Sequence, residues 1–180
     1  MKKTLFVNLF ASPGSGKSTT AAAVFSKLKL KGYDCELITE FAKDLVWEER
    51  FKTLSNQLYV SGKQGKKVST LNGKVDIAIT DSPILLSAYY NSVNKRYNIE
   101  NFNNLMLEEF NKYNNLNFFI RFNKSDYNPN GRMQTSEESF RISYEIKAMM
   151  DKFELKYNYV DKNEESIDYI VDYIINKLGE

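Results

Sequence analysis

The stretch Ala11-Ser12-Pro13-Gly14-Ser15-Gly16-Lys17-Ser18-Thr19 constrains this chain more than any other part of it. It follows the apolar run Leu5-Phe6-Val7-Asn8-Leu9-Phe10 and leads into a segment of helical spacing over 20–31. An apolar strand that turns through small residues into a helix is the setting in which a G-x-x-x-x-G-K-S/T phosphate loop works. Successive backbone N–H groups and the N-terminus of the following helix surround a polyphosphate there. The pattern makes Pro13, Gly14, Ser15, Gly16, Lys17, Ser18 and Thr19 the candidate nucleotide-binding residues. Lys17 is expected to reach the β- and γ-phosphates, and the Ser18 hydroxyl to ligate Mg²⁺. Ala11 stands where the first glycine is usual, at a strand end where a methyl group is tolerable.

Composition narrows the chemistry further. The chain has no histidine, which removes Ser–His and Cys–His nucleophile systems and every histidine-bound metal site. A general base must then be a carboxylate, a lysine or a tyrosine. Mg²⁺, held by oxygen ligands and phosphates, needs no histidine. A net charge of +2 is too small to argue for nucleic acid by itself. The single cysteine, Cys35, excludes an internal disulfide and fits a reducing compartment. No apolar run approaches the ~20 residues of a membrane span. The first strand-like run begins at Thr4, leaving no room for a targeting peptide. A cytoplasmic protein without membrane association is expected, and its oligomeric state is not legible. A chain of 180 residues suits one domain, 1–180, with a single core.

Five β-rich runs, at 4–10, 35–39, 75–80, 116–122 and 157–160, alternate with helical periodicity. Ala21, Val24, Phe25 and Leu28 repeat at helix spacing, and Gly32 suits the position just past the helix end. Ile99, Phe102, Met106, Phe110 and Tyr113 make a second stripe. Thr135-x-x-Glu138 reads as a capping box before Ile142, Ile146, Met149 and Phe153. Ile167, Ile170, Val171, Ile174, Ile175 and Leu178 form the last stripe. Strands and helices in alternation imply a mostly parallel sheet covered on both faces. Ligands of such sheets sit beyond the carboxyl ends of the strands. Two segments without strand signals are therefore expected to carry function, 41–74 as an acceptor-binding insertion and 123–134 as a lid.

The strand ends supply the remaining candidates. The third run closes on Asp81, a Walker B arrangement that places a carboxylate beside loop-bound Mg²⁺. No glutamate follows Asp81, which favours transfer to a substrate over vigorous hydrolysis. The second run ends at Glu40, which could accept the proton of an attacking hydroxyl or bind the acceptor; its plain alternative is an acid stabilised by a helix dipole. After the fourth run, Asn, Pro and Gly residues mix with Lys124 and Arg132, and Arg141 follows. A loop closing over a triphosphate there would deliver arginine, Arg132 ahead of Arg141. Asn123-Lys124-Ser125-Asp126 spells the guanine-reading N-K-x-D pattern, but D-x-x-G fails, since Ile84 lies three residues after Asp81. The match reads as chance. Within 41–74, Trp47, Arg50, Phe51, Asn56, Gln57, Tyr59, Lys63 and Gln64 mix aromatics with amides and cations that could meet a base.

The runs 7–21, Thr39-Glu40-Phe41-Ala42-Lys43-Asp44, Thr80-Asp81-Ser82-Pro83 and Tyr127-Asn128-Pro129-Asn130-Gly131-Arg132 resemble a family of small P-loop proteins. Many of its members are bacteriophage-encoded and labelled simply as ATPases. The family is related to nicotinamide-riboside-kinase-like domains and to nucleoside and nucleotide kinases. It is also similar to phage kinases that phosphorylate 5-hydroxymethyluracil within DNA during base hypermodification. The resemblance implies an α/β P-loop NTPase fold, a five-stranded parallel sheet of order 2-3-1-4-5, an Mg·ATP site and a lid after strand 4. It places Lys17 and Ser18 at the phosphate and metal positions, Asp81 at the strand-3 carboxylate and Glu40 at the acid ending strand 2. Ala11 and Phe41 depart from the Gly and Tyr of the pattern.

The expectation is an ATP- and Mg²⁺-dependent phosphotransferase with Lys17, Glu40, Asp81, Arg132 and Arg141 as catalytic residues, either Glu40 or Asp81 orienting the acceptor hydroxyl, and Ser18 and Asp81 as metal ligands. Its acceptor is a hydroxyl of a nucleoside-like group, most sharply a 5-hydroxymethylpyrimidine in phage DNA, next a free nucleoside, nucleotide or nicotinamide riboside. The rival from another class is a regulatory NTPase or GTP switch that transfers phosphate only to water.

Overall fold

The computed structural model describes residues 3–127 and 134–179. Five parallel strands form one sheet of order β2-β3-β1-β4-β5: β1 Leu5–Phe10, β2 Cys35–Ile38, β3 Ile77–Thr80, β4 Asn114–Ile120 and β5 Asn158–Val160. This is the P-loop NTPase arrangement expected. β1 is central and buried along its whole length, as a parallel strand covered on both faces must be. Its side chains alternate. Leu5, Val7 and Leu9 pack with Ala21, Val24 and Leu28 of α1 (Lys17–Leu30) and Ile170, Val171 and Ile174 of α8 (Glu164–Gly179).

Phe6 and Phe10 join two other apolar clusters. Phe10 meets residues of α5 (Leu86–Asn94), α6 (Ile99–Asn111) and α7 (Ser136–Lys152). Phe6 packs with Val68 of α4 (Gln57–Leu71). Between them, Asn8 is 4% exposed and donates from Nδ2 to Asn117 Oδ1 (3.0 Å) and Asn115 Oδ1 (2.9 Å). These amides account for the early start of β4, at Asn114 rather than 116, because each buried polar group finds a partner.

The segment 41–74 contains two further helices ahead of α4, α2 (Phe41–Trp47) and α3 (Phe51–Leu54). α5 answers to no stripe expected above, although Leu86, Tyr89 and Val93 have helical spacing. α1 starts at Lys17, three residues ahead of the helical segment expected over 20–31, so Lys17, Ser18 and Thr19 form its first turn. It ends as expected at Gly32 (φ 85°), with Tyr33 N–H donating to Leu28 O (3.1 Å) and Gly32 N–H to Lys29 O (2.9 Å). Thr135 caps α7 with the full capping box. No helix among the described residues is long and apolar enough to cross a membrane.

Candidate active site

Sheet order brings three strand ends together. β1 lies beside β3, and β3 beside β2, with Asn8 and Ile38 both in register with Thr80. The phosphate loop, Asp81 and Glu40 therefore leave the sheet side by side. Gly14 (φ 82°) and Gly16 (φ 88°) take the left-handed backbone that lets the loop curl into α1. Ser12 and Ser15 are buried and share a hydrogen bond between their hydroxyls (2.9 Å). Lys17 Nζ donates to Ala11 O and Ser12 O, each at 3.0 Å, so the ammonium is drawn back against its own loop. Ser18 sits half-buried in the first turn of α1, next to exposed Thr19.

The donor set fits a hard cation. Asp81 is 5% exposed, and its Oδ1 is buried without a hydrogen-bond partner. A buried carboxylate oxygen left unpartnered is costly, and an Mg²⁺ ion or its water would satisfy it. Thr80 Oγ1 accepts the Ser82 N–H (3.1 Å) and steadies the turn behind Asp81.

A cleft of about 320 Å³ runs from this loop outward. Pro13, Lys17, Glu40 and Ser82 line its inner end. Glu40 precedes α2 at the N-cap position, yet its side chain makes no capping bond, and it faces the cleft instead. Ala42, Lys43, Val46, Phe51, Leu54, Ser55, Gln57 and Val60 come from 41–74, the segment expected to meet an acceptor. Leu86, Ser87, Tyr89, Tyr90, Val93 and Asn94 come from α5. The sequence reading missed that wall. Gln57 is 3% exposed; its Nε2 donates to Leu54 O (2.8 Å), and its Oε1 is buried without a partner.

The Tyr89 hydroxyl donates to Glu145 Oε2 (2.7 Å), and burial followed by that bond holds its pKa above the ordinary tyrosine value. Arg141 lies on the exposed face of α7 with Nε 3.7 Å from Glu145 Oε1, and it does not line the cleft, although Ile142 does. Arg132 lies outside the described residues. At the edges of that span, the Tyr127 hydroxyl donates to Gln134 O, and Gln134 lines the cleft. Lys63, Lys66, Lys67 and Lys74 are not lining residues; Lys67 Nζ donates to Thr39 O (2.9 Å). Asn123 Oδ1 accepts the Ser125 N–H (3.2 Å), and Lys124 pairs with Glu137 (2.8 Å), which gives both local roles without a guanine base.

Two contacts on the loop escaped the sequence. A Cβ added at Gly14 would lie 2.6 Å from Cδ2 of Tyr127, and one at Gly16 would lie 2.5 Å from Cδ of Lys162. Both side chains follow carboxyl strand ends, β4 and β5, which is where α/β sheets assemble ligand sites.

No protein-family model and no curated protein sequence matches the chain. Among solved structures, it is similar to a deoxyadenosine kinase from M. mycoides with the products dCMP and a flexible dCDP bound. The likeness covers 97% of this chain and 98% of that one, at a TM-score of 0.58 and 18% identity. It is a likeness of fold.

Proposed function

We propose that this chain is an ATP-dependent kinase that transfers the γ-phosphoryl group to a hydroxyl of a free, uncharged nucleoside. The observation that carries this reading is one continuous cleft with the phosphate loop and Glu40 at its inner end and an apolar, aromatic hollow beyond them. Pro13 to Thr19 hold the triphosphate of ATP, and Ser18 and Asp81 hold Mg²⁺. Held there, Mg²⁺ would supply charge neutralisation on the phosphates. Lys17 exchanges the carbonyls of Ala11 and Ser12 for phosphate oxygens. Glu40 accepts the proton of the acceptor hydroxyl as its oxygen bonds to the γ-phosphorus. The bond to the β–γ bridging oxygen breaks, and its electron pair leaves on ADP. Of the two arginines expected to serve the triphosphate, Arg132 keeps that role in this reading, since Arg141 stands outside the cleft.

The lining argues for the acceptor class. Aromatic and aliphatic side chains suit the faces of a base and sugar, and the orphaned Gln57 oxygen suits a base N–H. Lys17 and Lys43 are the cations among the described lining residues. With Lys17 committed to ATP, little is left to hold an acceptor phosphate or a DNA backbone, whose binding rests on several cations. A free nucleoside therefore ranks ahead of a nucleotide and of a hydroxymethylpyrimidine within DNA. The fold it shares with a deoxyadenosine kinase supports the same reading.

ATP radiolabelled at the γ-phosphoryl, offered with nucleosides, nucleoside monophosphates and hydroxymethyluracil-containing DNA, tests the proposal. Label is expected in a nucleoside. Label in DNA alone would move the acceptor to the hypermodified base, and label in a monophosphate alone would make the protein a nucleotide kinase.

A further inference from the structure

The cleft wall formed by α3 and the start of α4 is packed unevenly, for α4 buries Gln57, Val60 and Ser61 while the short helices before it bury almost nothing. α3 buries no residue, and α2 buries Leu45 alone. Yet this corner carries Phe51, Leu54, Ser55 and Gln57 into the cleft. A hydrogen bond from a distant part of the chain reaches it. The Tyr97 hydroxyl donates to Asn56 Oδ1 at 2.8 Å. Asn56 is the N-cap of α4, and the same oxygen accepts the Tyr59 N–H (3.3 Å). Gln57 is the next residue.

Tyr97 is itself held firmly. Asn91, fully buried on α5, grips its backbone on both sides: Asn91 Nδ2 donates to Tyr97 O, and the Tyr97 N–H donates to Asn91 Oδ1, each at 3.2 Å. The Tyr97 ring stacks on Phe102 of α6 with centroids 5.7 Å apart and planes 10° apart. Lys95, at φ 51°, ends α5 in the left-handed region and turns the chain back for these contacts.

We infer that Tyr97 is a positioning residue for acceptor recognition, tying α5 to the N-terminus of α4 through Asn91 and Asn56 so that the Gln57 amide is held against the acceptor's base. The inference rests on the nucleoside reading above. A site built to hydrogen-bond a substrate group discriminates only while its own groups are held in place. Removing the Tyr97 hydroxyl leaves the stack on Phe102 and the cap on Tyr59 N–H. What goes is the bond from Tyr97 to the N-cap of α4.

Tyr97→Phe and wild type are compared on deoxyadenosine against purine deoxyriboside, which lacks the amino group, and on deoxycytidine against its counterpart without the 4-amino group. Wild type is expected to prefer the amino-bearing member of at least one pair. In Tyr97→Phe the acceptor KM for that member rises on the order of tenfold, the size of one lost hydrogen bond. The KM for ATP and the KM for the amino-free analogue hold, so discrimination falls by the same factor. Asn56→Asp keeps an oxygen for both donors and behaves as wild type. Asn56→Ala reproduces the loss, and adding Tyr97→Phe to it costs nothing more. Discrimination left intact in Tyr97→Phe, or ATP and acceptor KM rising together, would overturn the inference. A wild-type protein that phosphorylates nucleosides without preferring the amino group overturns the inference alone. One that phosphorylates no nucleoside overturns the nucleoside reading as well.

Discussion

Glu40 is the residue on which the proposed chemistry turns. It occupies an N-cap position, where a carboxylate would ordinarily bond backbone N–H groups, yet it makes no such bond and lines the cleft. Glu40→Gln keeps the size and polarity of the side chain and removes its capacity to take a proton. The variant is expected to lose about 10²–10⁴-fold in kcat while binding ATP with wild-type affinity. A Glu40→Gln protein with undiminished kcat would remove the base from this position. Lys17, Ser18, Asp81 and Glu40 were legible in the sequence because each closes a strand or opens a helix, where spacing alone assigns a place. Gln57 was legible only as one of several residues of 41–74 that could meet a base, Tyr127 only as part of the expected lid, and Lys162 not at all. Tyr127 and Lys162 approach the loop from the ends of β4 and β5, and no local pattern records a contact between distant loops.

Among the elements, the apolar strands were legible and their ends were not. β1 and β3 are buried along their whole length and apolar save for Asn8 and Thr80, as strands covered on both faces tend to be. β4 opens on Asn114 and Asn115, which read as loop until they are paired with Leu5 and Phe6 of β1 and the Asn115 Oδ1 accepts from Asn8 Nδ2. α5 is short and follows Pro83, and its Leu-Tyr-Val spacing is masked by the polar residues between. The start of α7 shows the opposite case, because a capping box is a local device that sequence records in full. Glu138 N–H donates to Thr135 Oγ1 (3.1 Å), and Thr135 N–H donates to Glu138 Oε2 (2.7 Å). Thr135→Ala is expected to cost about 0.5–2 kcal/mol in urea unfolding, while the KM for ATP is unchanged. An unfolding midpoint identical to wild type would show that the cap contributes nothing to the folded protein.

At the scale of the whole molecule, the sheet order converts a linear motif into a site. With β3 between β1 and β2, the phosphate loop, Asp81 and Glu40 leave neighbouring strand ends; Pro13, Lys17, Glu40 and Ser82 line one cleft, which residues of 41–74 and α5 extend outward. Sequence alone put the DNA-borne base first, and the sparse cations of the described lining shift the proposal to a free nucleoside. The central claim is that the γ-phosphoryl group goes to that acceptor and not to water. The most direct measurement is the partition of γ-labelled phosphate between nucleoside and inorganic phosphate, with a panel of deoxynucleosides at saturating ATP and Mg²⁺. The account predicts that one deoxynucleoside takes up most of the label and accelerates ATP consumption. Inorganic phosphate released at one rate whatever nucleoside is added would contradict it and identify a hydrolysing switch.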